Sequence, residues 1–321
     1  MTKTTKGAQR LGARPPMHLY AGPQTLVNVG RRRRLNLLIA GKGEPTVIFA
    51  PGGWASTLEW ARVQHAIAAK TRTVAYDNAG FGFSDPGPLP RTASAIVSDL
   101  RAALKAADMP PPYVLVGWSF GGLIMRLFAF SYPDDVVGMV MVDASSERQI
   151  SRLASDRKYA AWLQDFRRKL LRVERLARAG ALAPGTPEYD EFVVRDGAPR
   201  LPVAVKAARR AQRLSPAFYR AARSENANTW SATLAEMNAA RRPLGDMPLI
   251  ALTARKFFPM ADASAQPANV WREAWRSGHE DIVALSTRGE RRMIDAGHAI
   301  QWEKPEAVIA AIEEVLALAR T

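Results

Sequence analysis

Short apolar runs recur along this chain, separated by segments of helical spacing, and this alternation restricts the possible folds most. Gln24–Val29, Arg34–Ala40, Thr46–Ala50, Thr71–Asp77, Tyr113–Trp118, Val136–Val142, Met247–Thr253 and Arg291–Asp295 read as strands. Leu58–Ala69, Thr92–Ala107, Phe120–Ser131, Val270–Leu285 and Pro305–Leu318 read as helices between or after them. Strands alternating with helices of this length imply right-handed βαβ units. Unbroken apolar runs such as Tyr113-Val114-Leu115-Val116 suit strands covered on both faces. Arg34–Ala40 instead alternates through Leu35, Leu37 and Ile39. The expected fold is α/β: a mainly parallel central sheet flanked by helices. Ligands of such sheets bind beyond the carboxyl ends of the strands, so chemistry is sought in the residues just after each strand.

The alternation stops for about a hundred residues. Residues 147–243 are Arg-rich and mostly helical, and read as an inserted helical cap (a lid) over the carboxyl edge of the sheet. Residues 1–22 read as a loosely held basic arm, and residues 23–146 and 244–321 as the core. The formal charge of +15 raises the question of nucleic acid. Its distribution argues against that: residues 151–242 hold 19 Lys/Arg against 9 Asp/Glu, residues 1–45 hold 9 against 1, and the remainder holds 17 against 20. The surplus sits on the arm and the insertion, either as solvated helix faces or as a preference for anionic substrates or surfaces. With no cysteine, disulfides, thiol catalysis and thiolate metal sites are excluded. The N-terminal stretch lacks the apolar core of a signal peptide, and no apolar run approaches the roughly 20 residues of a membrane span. A cytoplasmic protein is expected.

Gly117-Trp118-Ser119-Phe120-Gly121 follows an apolar strand and opens a helix. Three fixed positions of this kind arise by chance roughly 0.1 times in a chain of this length. The strand–turn–helix context is what the G-x-S-x-G pattern needs to lift a serine hydroxyl clear of the backbone. Such a serine requires a base. Of His18, His65, His279 and His298, only His298 follows a strand end, in Asp295-Ala296-Gly297-His298. A carboxylate must orient that histidine. Asp143, directly after Val136–Val142, is favoured. Asp262, about nine residues past its strand, is the rival, and Glu147 a weaker third. Oxyanion donors are expected from the Phe120 backbone N–H and from Gly53 or Trp54, in the turn after Thr46–Ala50.

Five ordered segments carry a family likeness: Pro51-Gly52-Gly53-Trp54, Tyr76 to Ser84, Tyr113 to Gly122, Val140-Met141-Val142-Asp143 and Asp295 to His298. Over about Gln24 to Leu318 the chain resembles the α/β-hydrolase fold superfamily, especially bacterial members with a helical cap. The resemblance implies a Ser–Asp/Glu–His triad in that chain order, which Ser119, Asp143 and His298 obey, with no cofactor and no metal, and makes Tyr76–Ser84 a structural turn. Three departures stand out. Trp118 precedes the nucleophile where relatives often carry His, Asn or Gln, and Pro51-Gly52 replaces a common His-Gly. The loop after Thr253 reads Ala254-Arg255-Lys256-Phe257-Phe258, placing cations where many relatives place the acid. That moves the acid to Asp143.

The expected activity is hydrolysis of a small-molecule carboxylic ester through an acyl-enzyme. Trp54, Trp118, Phe257 and Phe258 would line the substrate pocket. Lactone or amide hydrolysis on the same triad, or ligand sensing with little turnover, are the alternatives. Neither a nucleic-acid partner nor a membrane span is expected.

Overall fold

The computed structural model describes residues 15–194, 201–256 and 268–320. Eight strands form one sheet: β1 (Thr25–Asn28), β2 (Arg34–Ala40), β3 (Thr46–Ala50), β4 (Thr73–Tyr76), β5 (Tyr113–Trp118), β6 (Val136–Val142), β7 (Leu249–Ala254) and β8 (Gly289–Ile294). Their order is β1-β2-β4-β3-β5-β6-β7-β8. The two pairings that involve β2 are antiparallel, and all others are parallel. β5 therefore lies near the centre, with β3 on one side and β6 on the other.

The strand sequences explain the layers. On β5, Tyr113 and Leu115 face one apolar core, and Val114 and Val116 face the other. On β7, Leu249 and Ala251 join the first core, and Ile250 and Leu252 the second. This is the two-residue period of a strand buried on both faces. The first core lies under helices α2 (Ala93–Ala106) and α3 (Phe120–Ser131). The second lies under α1 (Ala61–Ile67), the short turn α11 (Ile300–Glu303) and α12 (Pro305–Leu318). β2 departs from its half-buried pattern, because Asn36 is buried too. Its amide donates to Asp77 at 2.8 Å and to Gln24 at 2.7 Å, so a polar residue is satisfied on the covered face.

Asp77, at the end of β4, also accepts from the backbone N–H groups of Thr57 at 2.7 Å and Phe83 at 3.0 Å. It thereby ties the segment after β3 to the Tyr76–Ser84 turn.

Between β6 and β7 the chain runs through α4 (Glu147–Ala154), α5 (Arg157–Arg178), the single turn α6 (Pro187–Tyr189), α7 (Val203–Arg213), α8 (Pro216–Thr229) and α9 (Ala232–Ala240). A capping box, Ser146 with Gln149, starts α4. Leu170, Val173, Phe218, Tyr219 and Ala222 form a separate apolar cluster in this insertion, and Phe81 of the core inserts into it. Part of the N-terminal arm is held more firmly than its sequence suggests. Met17–Ala21 forms a helical turn, and Tyr20 is buried beside Leu201 and Val205, because an aromatic ring gains from burial what a basic tail does not. Among the described residues, no helix is long and apolar enough to cross a membrane.

Candidate active site

Ser119 sits between the end of β5 and the first turn of α3 with φ of 52° and ψ of −123°. A non-glycine residue with positive φ is strained, and such strain is typical of a serine lifted on a tight strand-to-helix turn. The surrounding backbone leaves no room for larger neighbours. A β-carbon on Gly117 would come within 2.6 Å of the Gly121 carbonyl oxygen, and one on Gly121 within 2.5 Å of the Pro51 carbonyl oxygen. The turn is anchored to the next strand, since Ser119 N–H donates to the Val142 carbonyl at 3.2 Å and the Ser119 carbonyl accepts from Ser145 N–H at 2.9 Å.

Asp143 follows β6, adjacent to β5, and also has positive φ, 41°. Its carboxylate is 2% exposed yet fully engaged. Oδ2 lies 2.7 Å from His298 Nδ1. Oδ1 accepts from the Ala254 N–H and from Trp275 Nε1–H, each at 2.9 Å. Burial alone would raise this carboxyl, but the hydrogen bond and charge of His298, helped by His279 and the Ala254 amide, hold it below its ordinary value. The ionised acid fixes the proton of His298 on Nδ1, leaving Nε2 as the basic nitrogen.

His298 hangs on the loop after β8. Trp118 Nε1–H donates to its carbonyl oxygen at 2.9 Å, and the imidazole lies 5.2 Å from the Trp118 ring and 5.3 Å, edge-on, from that of Trp275. Ser119, Asp143 and His298 line one cavity of about 190 Å³. Its other walls come from Ile150 and Leu153 of α4, Tyr159 of α5, Trp230, and Trp275 of α10 (Ala268–Val283).

The remaining expected residues divide clearly. Gly53 and Phe120 face each other across the turn after β3: a β-carbon on Gly53 would stand 3.7 Å from that of Phe120. Trp54 and Trp118 are not among the described residues that line this cavity. Trp54 is drawn into the insertion, stacking on Phe166 at 5.3 Å between ring centres. The Trp118 indole packs so closely on Gly52 that a β-carbon there would meet it at 2.8 Å. Glu147 is no orienting acid, because Arg126 NH2 donates to its Oε2 at 2.5 Å and holds it under α3. Phe257, Phe258 and Asp262 lie outside the described residues.

Two supporting side chains were not singled out by the sequence reading. Trp275 and His279 stand four residues apart, so they share one face of α10. His279 is 1% exposed. Its Nε2–H donates to the Ala144 carbonyl at 2.8 Å, so its Nδ1 accepts from the Thr253 hydroxyl at 2.7 Å. Burial lowers its pKa, in keeping with a neutral ring that braces the residue after Asp143. The only signal in the sequence was the i, i+4 spacing of an aromatic and an imidazole. Among the described residues, no three His, Cys, Asp or Glu side chains cluster as metal ligands do.

A sequence profile of the alpha/beta hydrolase family matches residues 47–311. The pimeloyl-[acyl-carrier protein] methyl ester esterase of Shewanella woodyi is 32% identical over 113 residues, which are 35% of this chain and 40% of that protein. The matched stretches span about a fifth to two fifths of the first curated relatives. Among solved structures, a thermophilic esterase from Thermogutta terrifontis superposes with a TM-score of 0.61 at 22% identity, covering 94% of this chain and all of that one (100%). The epoxide hydrolase CorEH superposes with a TM-score of 0.65 at 18% identity, covering 91% and 98%. At these identities the structural matches speak to the fold alone.

Proposed function

Because the chain belongs to the alpha/beta hydrolase family, we propose that it is a serine hydrolase that cleaves a carboxylic ester, with Ser119 as nucleophile, His298 as general base and Asp143 as the orienting acid. The observation that carries this reading is the 2.7 Å bond between His298 Nδ1 and the buried Asp143 carboxylate, in the cavity that the strained Ser119 also lines.

The chemistry is a two-step acyl transfer. His298 Nε2 takes the Ser119 proton as Oγ attacks the ester carbonyl. The N–H groups of Phe120 and Gly53 stabilise the resulting oxyanion, aided by the N-terminal end of the α3 dipole. Gly53 is the better second donor, since the Trp54 amide lies beside the buried Glu225 carboxyl. The imidazolium then returns the proton to the departing alcohol, the carbonyl re-forms, and the serine is left acylated. Water, deprotonated by the same nitrogen, releases the acid and restores the enzyme.

A serine at position 119 separates this chemistry from epoxide opening, which in relatives uses a carboxylate nucleophile. Residues 147–243 are the cap in this reading: they supply Ile150, Leu153, Tyr159 and Trp230 to the cavity wall.

Labelling with a fluorophosphonate tests the assignment. Adduct formation on Ser119, and a loss of p-nitrophenyl ester turnover by roughly 10⁴-fold or more in Ser119→Ala, are expected. Turnover unchanged by that substitution would remove Ser119 from the mechanism.

A further inference from the structure

The cavity that holds Ser119 has a second character that ester hydrolysis alone does not require. Four of its lining side chains are cationic: Arg255 and Lys256, which directly follow β7, and Arg272 and Arg276, one turn apart on α10. All four are exposed residues, so they form the mouth, while Ile150, Leu153, Tyr159, Trp230 and Trp275 form apolar walls. The one carboxylate among the described lining residues, Asp143, already holds three donors.

Among the described residues, most acidic side chains nearby are paired away from the mouth. On α10, Glu273 pairs with Arg152 at 3.0 Å, Glu280 with Arg291 at 2.6 Å and Asp281 with Arg148 at 2.5 Å. Asp295 reaches Lys256 only at 3.6 Å, with both side chains largely exposed. Among the described residues, Arg255 and Arg276 make no ion pair. Cations from two separate elements thus converge on one opening, while among the described residues Glu273, Glu280 and Asp281 pair elsewhere. A wholly neutral substrate would bury part of their hydration with nothing in return, whereas an anionic oxygen group would meet a focused positive potential.

We infer that the cavity takes an amphipathic substrate, a short hydrocarbon stem carrying an anionic carboxylate or phosphate group, with that group held at the mouth by Arg255, Arg276 and their neighbours. The inference deepens the ester-hydrolase reading, on which it rests for the reacting group: the ester lies at Ser119 and the stem along the apolar wall.

Binding can be measured without turnover. The quench of tryptophan fluorescence in the full chain, where Trp230 and Trp275 line the cavity, is titrated with hexanoate, hexyl phosphate and neutral hexanamide. At low salt at least one anion is expected to bind about tenfold more tightly than hexanamide, and the tighter of the two identifies the group. Each exposed guanidinium contributes roughly three- to fivefold. Arg255→Gln combined with Arg276→Gln should therefore remove most of that preference, and 0.5 M NaCl should weaken it in the wild type. Hexanamide binding as tightly as both anions overturns the inference, and so does a preference that survives the double substitution. Fluorophosphonate labelling separates this result from the parent reading: an unlabelled Ser119 with a preference abolished in the double variant would leave the anion site standing and the hydrolase assignment fallen.

Discussion

Replacing Asp143 by asparagine tests the site most sharply, because the hydrogen bonds dictate how the new amide must sit. Oδ1 faces two donors that cannot become acceptors, the Ala254 N–H and Trp275 Nε1–H, each at 2.9 Å. An amide NH₂ placed there would oppose both. The carbonyl oxygen of Asn therefore takes the Oδ1 position, and its NH₂ faces His298 Nδ1, 2.7 Å away in the wild type. That contact is tolerated only if Nδ1 gives up its proton and accepts. The ring then carries its hydrogen on Nε2, the nitrogen that must remove the serine proton. A wrong tautomer of this kind costs about 10³- to 10⁴-fold in kcat, equivalent to about 4–5.5 kcal/mol of transition-state stabilisation. The assay is steady-state hydrolysis of p-nitrophenyl esters beside the rate of fluorophosphonate labelling, both at neutral pH. The fold should survive, since both Oδ1 donors keep an acceptor. A linked effect appears in acid. The carboxyl is depressed in the folded protein, so its contribution is present above the ordinary carboxylate range and is lost as pH falls through the folded value. The wild type should thus lose unfolding free energy below about pH 4, with a slope that Asp143→Asn partly lacks. If Asp143→Asn keeps turnover within tenfold of wild type while Asp262→Asn abolishes it, the orienting acid is Asp262 and the reasoning fails.

Two further substitutions probe the surroundings of the site. Trp118→Phe keeps a ring against Gly52 but removes the 2.9 Å bond to the His298 carbonyl; kcat should drop about tenfold while unfolding free energy changes by only about 1 kcal/mol, and an unaltered kcat would show that the bond does not hold the base. Glu225, 2% exposed on α8, is pushed up to about 8, chiefly by burial, with the Arg91 charge and the Trp54 amide opposing. Its contribution to stability is whole below its ordinary value near 4.5 and is lost as pH rises through about 8. Glu225→Gln should therefore flatten the stability profile across that interval and exceed the wild type by a few kcal/mol above it, as followed by urea unfolding at a series of pH values; parallel profiles would refute the assignment.

Much of the fold was written locally. Strand β5 and the turn behind it are contiguous in sequence, and the glycines at 117 and 121 are required by backbone contacts that a three-residue pattern encodes. The strand ends that put His298 and Asp143 on one rim followed from the order of apolar runs. What escaped the reading depends on partners distant along the chain. Trp275 and His279 reach β6 and β7 only because α10 packs there, across more than a hundred residues in the case of Asp143 and Ala144. Trp54 resembled a pocket residue beside its glycines, but its partner Phe166 belongs to the insertion. Trp118 stood out only as a departure from relatives, whereas its indole N–H reaches the His298 carbonyl 180 residues away. The burial of Asn36 and Tyr20 escaped notice for the same reason, since burial is set by what arrives from elsewhere.

The Trp118 indole bridge has a wider consequence. It rivets the loop bearing His298 to the residue covalently joined to Ser119, so in the proposed mechanism the spacing of nucleophile and base is held by a contact within the sheet rim. Evolution, or an engineer, could exchange or reshape those helices to admit a different molecule while the reactive pair keeps its alignment. In the proposed mechanism, shape selection and bond cleavage would thereby be mechanically uncoupled.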